Sequence, residues 1–219
     1  MDKDWEDTAD RLAQAAVTDG EPTRWFDELY SAGRRGEVTM PWDRGQPNGL
    51  ITAWGDRHEG AGARGLVIGC GLGRDSEYLA TRGYAVTAID ISPTAIRTVR
   101  ERYPDSTAHY RVADLLNPPP DLLGAFDLVV ESYTVQALPP SVRAEATEAV
   151  AALVAPGGTL LVIAMVRADD EPITGPPWKM TRADIDAFAA CGLDPVLIEE
   201  VDSESGYRQW RAEFHRPAE

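Results

Sequence analysis

The chain has 219 residues, 43% of them hydrophobic, and a formal net charge of −15. That length suits one domain with a full sheet, and such acidity argues against nucleic-acid or anionic-membrane partners, whose phosphates it would repel. Cys70 and Cys191 sit in unlike contexts and give neither a disulfide framework nor zinc-ligand spacing, so no metal is expected.

No apolar run approaches a membrane span, and the start Met1-Asp2-Lys3-Asp4-Trp5 has no signal-peptide pattern; both predict a cytoplasmic protein, and a monomer or homodimer is expected. Trp5, Ala9, Leu12, Ala13, Ala16 and Val17 make a helical stripe over residues 5–17. Pro22 to Tyr30 reads as a second short helix stopped by Gly33. A loop over Thr39–Pro47 follows, and then Asn48 caps a helix carrying Leu50, Ile51 and Trp54. Nothing before residue 64 reads as a strand, which predicts a helical cover over 1–63 and a core over 64–219.

From residue 64 strands and helices alternate. Strands are predicted over 65–70, 84–90, 108–113, 125–131 and 158–166, with helices over 73–82, 93–103 and 141–154 between them. Ser92-Pro93 gives one helix a cap and a proline at its first position. Ser141 is expected to cap the 141–154 helix, with a turn at Gly157-Gly158. Leu160 to Val166 is apolar on both faces, as a central parallel strand should be. Thr181 to Ala190 is a last helix, and Val196–Val201 with Gln209–Phe214 suggest an antiparallel hairpin at the sheet edge.

Gly65 to Asp75 is an apolar run ending in three alternating glycines, and the next strand ends at Asp90. That order is half of a doubly wound α/β sheet with its ligand crevice at the strands' carboxyl ends. Glycines let the backbone approach a ligand, and a strand-end carboxylate can accept hydrogen bonds from ribose hydroxyls. Dinucleotide sites want G-x-G-x-x-G, but Arg74 stands where the third glycine belongs. With the hairpin ending, this favours a seven-stranded, mostly parallel, Rossmann-like sheet of the methyltransferase kind.

The stretches Gly69-Cys70-Gly71-Leu72-Gly73-Arg74-Asp75 and Val86-Thr87-Ala88-Ile89-Asp90-Ile91-Ser92 resemble class I S-adenosylmethionine-dependent methyltransferases. Three more, Pro41-Trp42-Asp43-Arg44-Gly45-Gln46-Pro47, Phe126-Asp127-Leu128-Val129-Val130-Glu131 and Gly175-Pro176-Pro177-Trp178-Lys179, are similar to the thiopurine methyltransferase superfamily, nearest its plant halide and thiol branch. The resemblance spans roughly residues 25 to 200, nearly the whole domain. It implies S-adenosylmethionine as cofactor, with Gly69, Cys70, Gly71 and Gly73 under its methionine part. Asp90 would take the ribose, Ile91 pack on the adenine, Asp114 accept from the adenine amino group with Leu115 beside it, and Glu131 face the methionine end. Trp25 and Trp42 would close the pocket. After the fourth strand the chain reads Ser132-Tyr133-Thr134-Val135-Gln136, where halide-methylating relatives carry an aromatic run, so the substrate does not transfer.

A sulfonium-bound methyl is electrophilic and moves by in-line displacement, so holding the acceptor on its axis supplies much of the catalysis. His58, His109 and His215 all fall outside the predicted crevice, which leaves Glu131, Tyr133 and Asp43 as candidate bases. The missing histidine leans toward a thiol or other soft nucleophile. Tyr133, Gln136, Trp178 and Lys179 are the candidate contacts to the small-molecule acceptor. The alternatives are an O- or N-methyltransferase with Glu131 or Tyr133 as base, a nicotinamide oxidoreductase, and a non-catalytic nucleoside-binding protein.

Overall fold

A computed structural model describes residues 4–218 apart from Pro41, Arg44, Glu204 and Ser205, and for Asp4 and Glu6 the backbone only. Two residues of the Pro41–Pro47 stretch and two of the predicted hairpin turn therefore lie outside the described residues.

Five parallel strands carry the core: β1 (Arg64–Ile68), β2 (Ala85–Asp90), β3 (His109–Val112), β4 (Phe126–Ser132) and β5 (Val154–Met165). The hairpin of β6 (Asp194–Asp202) and β7 (Arg208–His215) completes the sheet. The strand order is β3-β2-β1-β4-β5-β7-β6, with β7 antiparallel to both of its neighbours. This is the doubly wound sheet with an antiparallel C-terminal hairpin that the sequence predicts. The switch between β1 and β4 places a crevice at the strands' carboxyl ends.

Alternation along the strands sends side chains into two cores. Val67, Ala88, Val130 and Ile163 meet Ile51, Trp54, Leu79 and Val99 from α3 (Gly49–Gly55), α4 (Arg74–Thr81) and α5 (Pro93–Arg102). On the other face Leu66, Ile89, Val129 and Val162 meet Val150, Ile185 and Phe188 from α6 (Arg143–Leu153) and α7 (Arg182–Ala190). Two caps form as expected: the Asn48 side chain accepts from the Leu50 amide at 2.9 Å and Ser92 Oγ from the Ala95 amide at 3.0 Å. A third helix start has a full capping box, made by Thr181 and Asp184.

Helices α1 (Asp4–Thr18) and α2 (Arg24–Arg34) share their own apolar cluster of Ala9, Ala13, Ala16, Trp25 and Leu29. Asp27 fastens α2 to the core at the start of α5, where its Oδ1 accepts from Ser92 Oγ at 2.6 Å and from the Thr94 amide at 2.9 Å. Burial pushes the Asp27 carboxyl up, but those donors outweigh it and hold the group below its ordinary value.

Three local expectations fail for identifiable reasons. Gly33 does not stop α2; it sits inside the helix, which runs on to Arg34, and a Cβ there would come within 2.9 Å of Met40 Sδ. Ser141 does not cap α6, because Pro139 and Pro140 lead into a 3₁₀ turn, Pro140–Val142, that carries the chain into Arg143. Gly157-Gly158 is a bulge within β5 and not a turn before it. Gly157 takes φ +76° while its amide still donates to Arg216 O at 2.9 Å, so pairing continues back to Val154. Among the described residues no helix is long and apolar enough to cross a membrane.

Candidate active site

A cavity of about 980 Å³ opens across the carboxyl ends of the strands. Its floor is the loop leaving β1. Gly69, Gly71 and Gly73 have φ of +59°, +52° and +86°, a region costly for residues with a Cβ. A Cβ on Gly69 would lie 2.4 Å from Thr134 Oγ1, and one on Gly71 2.9 Å from the Tyr30 hydroxyl. The loop is a backbone cradle pressed between two neighbours. Cys70 is buried within it, and burial, followed by the Asp90 charge, drives its thiol well above the ordinary range, which disfavours the reactive thiolate.

Asp90 ends β2 at the cavity wall. Its Oδ2 accepts from the Gly71 amide and its Oδ1 from the Ser92 amide, each at 2.9 Å. Burial raises it from 3.8 to about 6 even though those amides pull it down. Each carboxylate oxygen has a second lone pair, so the group is oriented by the fold and still able to accept from a ligand. Ile91, Asp114 and Leu115 continue the same wall; Asp114 Oδ1 accepts from the Leu116 amide at 2.9 Å, an Asx turn that fixes its carboxylate. Trp25 and Trp42 line the opposite side, with Trp42 Nε1 donating to the Tyr30 hydroxyl at 3.0 Å.

Beyond β4 the wall is formed by Ser132, Tyr133, Thr134 and Gln136. Tyr133 takes the left-handed φ of +60°, and its hydroxyl donates to Gln209 Oε1. Gln136 is nearly buried; its side-chain oxygen accepts from the Met165 amide at 2.6 Å and its carbonyl from the Trp178 amide at 2.7 Å, which ties the exits of β4 and β5 together.

Glu131, Trp178 and Lys179 do not reach this cavity. Strand alternation turns Glu131 toward the α6–α7 face, where it is fully buried. Its Oε1 accepts from the Thr134 amide at 2.7 Å and the Val135 amide at 2.9 Å, and burial lifts it from 4.5 to about 7. Trp178 packs against the α1–α2 cluster, and Lys179 pairs with Glu171 at 2.7 Å; from that loop Pro176 and Pro177 face the cavity instead. Asp43 lines the cavity but is a poor base, since the Arg102 guanidinium holds its carboxyl below the ordinary value. His58, His109 and His215 are all absent from the lining.

Tyr30, Asn48, Thr134, Tyr207 and Gln209 also line the cavity, and sequence reasoning did not assign them there. One topological signal pointed to Gln209: β7 runs against its neighbours, so its first residues share an end of the sheet with the carboxyl ends of the parallel strands.

A parallel sheet closed by a reversed β7, a glycine cradle leaving β1 and an oriented carboxylate leaving β2 define a class I S-adenosylmethionine-dependent methyltransferase. The family model described as Thiopurine S-methyltransferase (TPMT) matches residues 34–213, and the chain belongs to that family. It is 30% identical to thiocyanate methyltransferase 1 of Brassica oleracea over 165 residues, which is 73% of this chain and 71% of that one. A solved structure from work on the conversion of a disulfide bond into a thioacetal group during echinomycin biosynthesis aligns with TM-score 0.70 and 25% identity, covering 88% of this chain and 93% of the other. The N-methyltransferase NodS of Bradyrhizobium japonicum, solved with S-adenosylhomocysteine bound, aligns with TM-score 0.65 and 22% identity over 85% of this chain and 97% of its own. The protein is an enzyme, and S-adenosylmethionine is its cofactor.

Proposed function

We propose that the enzyme methylates a small molecule at a thiol or another soft nucleophile, without a protein base at the reacting atom. One observation carries this reading: among the described residues the cavity wall holds no histidine, and all but one of its carboxylates already have a hydrogen-bond or ion-pair partner within the fold. Asp90 and Asp114 accept from backbone amides, Asp75 accepts from the Asn48 amide at 2.7 Å, and Asp43 is paired with arginine. Asp202 is the exception and sits on the exposed rim at the end of β6. A thiol that ionises on its own needs no such group, whereas an alcohol or amine profits from one. The family's name and the thiocyanate-methylating relative support the same reading.

The residues present fit the cofactor. The cradle excludes side chains at Gly69 and Gly71, and the buried Asp90, oriented by two backbone amides, keeps lone pairs able to accept from ribose hydroxyls. Bound there, S-adenosylmethionine supplies a methyl group on a positively charged sulfur. In this assignment Gly69, Cys70, Gly71 and Gly73 hold the methionine part and Asp90 the ribose, while Ile91, Asp114 and Leu115 take the adenine. Trp25 and Trp42 exclude water from above. Tyr133 and Gln136 border the acceptor space and orient the nucleophile, an entropic contribution that can reach roughly 7–11 kcal/mol.

The test is a panel of thiols, iodide, phenols and amines at fixed S-adenosylmethionine, with S-adenosylhomocysteine as the readout. Thiols should exceed phenols and amines by at least about tenfold in kcat/KM, a difference of roughly 1.4 kcal/mol in barrier. Preference for a phenol or amine would overturn the reading.

A further inference from the structure

Arg102 ends helix α5 outside the cavity lining, yet it reaches Asp43, 59 residues earlier in the chain. Its two terminal nitrogens grip both carboxylate oxygens, Nη2 to Oδ2 at 2.8 Å and Nη1 to Oδ1 at 3.1 Å. The same Nη1 donates to the Leu72 carbonyl at 3.4 Å, between Gly71 and Gly73 of the cradle. Arg74 adds a longer contact from the first residue of α4, Nε to Asp43 Oδ1 at 3.4 Å. The Arg102 and Asp43 side chains are only 28% and 21% exposed, so this two-pronged pair is screened less than a free surface ion pair.

The residue beside Asp43 is Trp42. Its indole bonds the Tyr30 hydroxyl, and both rings stand over Gly71: a Cβ there would lie 2.9 Å from the Tyr30 oxygen and 3.8 Å from Trp42 Cδ1. One guanidinium therefore connects the cradle's carbonyl to the residue next to the indole that roofs it.

We infer that Arg102 is a positioning residue for cofactor retention: by gripping Asp43 and the Leu72 carbonyl together, it holds Trp42 over the glycine cradle and sets how long the nucleoside stays. This rests on the assignment of the Gly69–Gly73 loop and Asp90 as the cofactor seat. Arg102 touches neither cofactor nor acceptor in this role. Its effect falls on release and not on the methyl-transfer step.

The experiment measures association and dissociation of S-adenosylhomocysteine by surface plasmon resonance on the immobilised full chain. The variants are Arg102→Met, Arg102→Lys, Asp43→Asn and the Arg102→Met/Asp43→Asn double variant, with Asp90→Ala as control. Arg102→Met and Asp43→Asn should each speed dissociation about tenfold with association changed less than about twofold, and the double variant should be no faster than either, because the two side chains act as one unit. Arg102→Lys should fall between, keeping the charge but losing the fork. Dissociation within about twofold of wild type in Asp43→Asn, or single effects that multiply in the double variant, would overturn the inference. Asp43→Asn carries the same readout should Arg102→Met fail to fold, as judged by circular dichroism. Unchanged affinity in Asp90→Ala would instead show that the seat itself is misassigned.

Discussion

Replacing Glu131 by glutamine removes a titratable group from the interior while keeping an oxygen that can accept from the Thr134 and Val135 amides. Burial lifts the Glu131 carboxyl from 4.5 to about 7. Between those values the folded protein keeps a proton that the unfolded chain has released, so stability is greatest below the lower value and falls as pH rises through the upper one. At about 1.36 kcal/mol per pH unit, that window amounts to about 3 kcal/mol. The glutamine variant has no such term. Asp75 and Asp90, each raised to about 6 by burial, are present in both proteins and cancel in the difference. Urea unfolding followed by circular dichroism from about pH 4 to about pH 8 should show wild type losing roughly 3 kcal/mol relative to Glu131→Gln. A difference that stays constant within about 0.5 kcal/mol across that range would refute the reasoning. Because Glu131 lies off the cavity, turnover of a preferred thiol should stay within about tenfold of wild type. A far larger loss with cofactor affinity intact would make Glu131 a base after all.

Further outcomes follow from the cradle and its cover. Asp90→Ala should weaken S-adenosylmethionine binding by roughly 1–3 kcal/mol in calorimetry, the scale of a lost charge-assisted pair of hydrogen bonds. In wild type the affinity should decline as pH falls through about 6, where Asp90 gains its proton, and this decline should vanish in the variant. Deleting residues 1–35 should abolish catalysis while leaving a cooperative unfolding transition, since the strands all come later and most of the apolar side chains of α1 and α2 pack on one another; loss of the transition would show that the cover is part of the core.

The cradle was legible in the sequence because its constraint is one of residue type. Only glycine suits the positive φ at Gly69 and Gly71 beside close neighbours, and a carboxylate ending a buried strand stands out against apolar residues. The mostly parallel sheet and its closing hairpin were legible because helices intervene between most of the parallel strands and a short polar turn separates the last two runs. The acceptor side was less readable. The Tyr133–Gln209 bond joins residues 76 apart and the Asp43–Arg102 pair residues 59 apart, and neither separation leaves a local pattern. Glu131 is a different case. Its place at a strand end suggested the crevice, but alternation from Leu128 and Val130 on one face to Val129 and Glu131 on the other already assigned it to the α6–α7 side.

Strand β7 lies late in the chain yet sits between β5 and β6. Until it arrives, β6 has no neighbour to join and β5 keeps one long open edge, with Leu160 to Ala164 buried on both faces in the finished sheet. A growing or shortened chain that stops before Arg208 would present that apolar strand with unpaired backbone groups, a template for pairing with other chains. Loss of β7 should therefore appear first as aggregation and only second as lost activity.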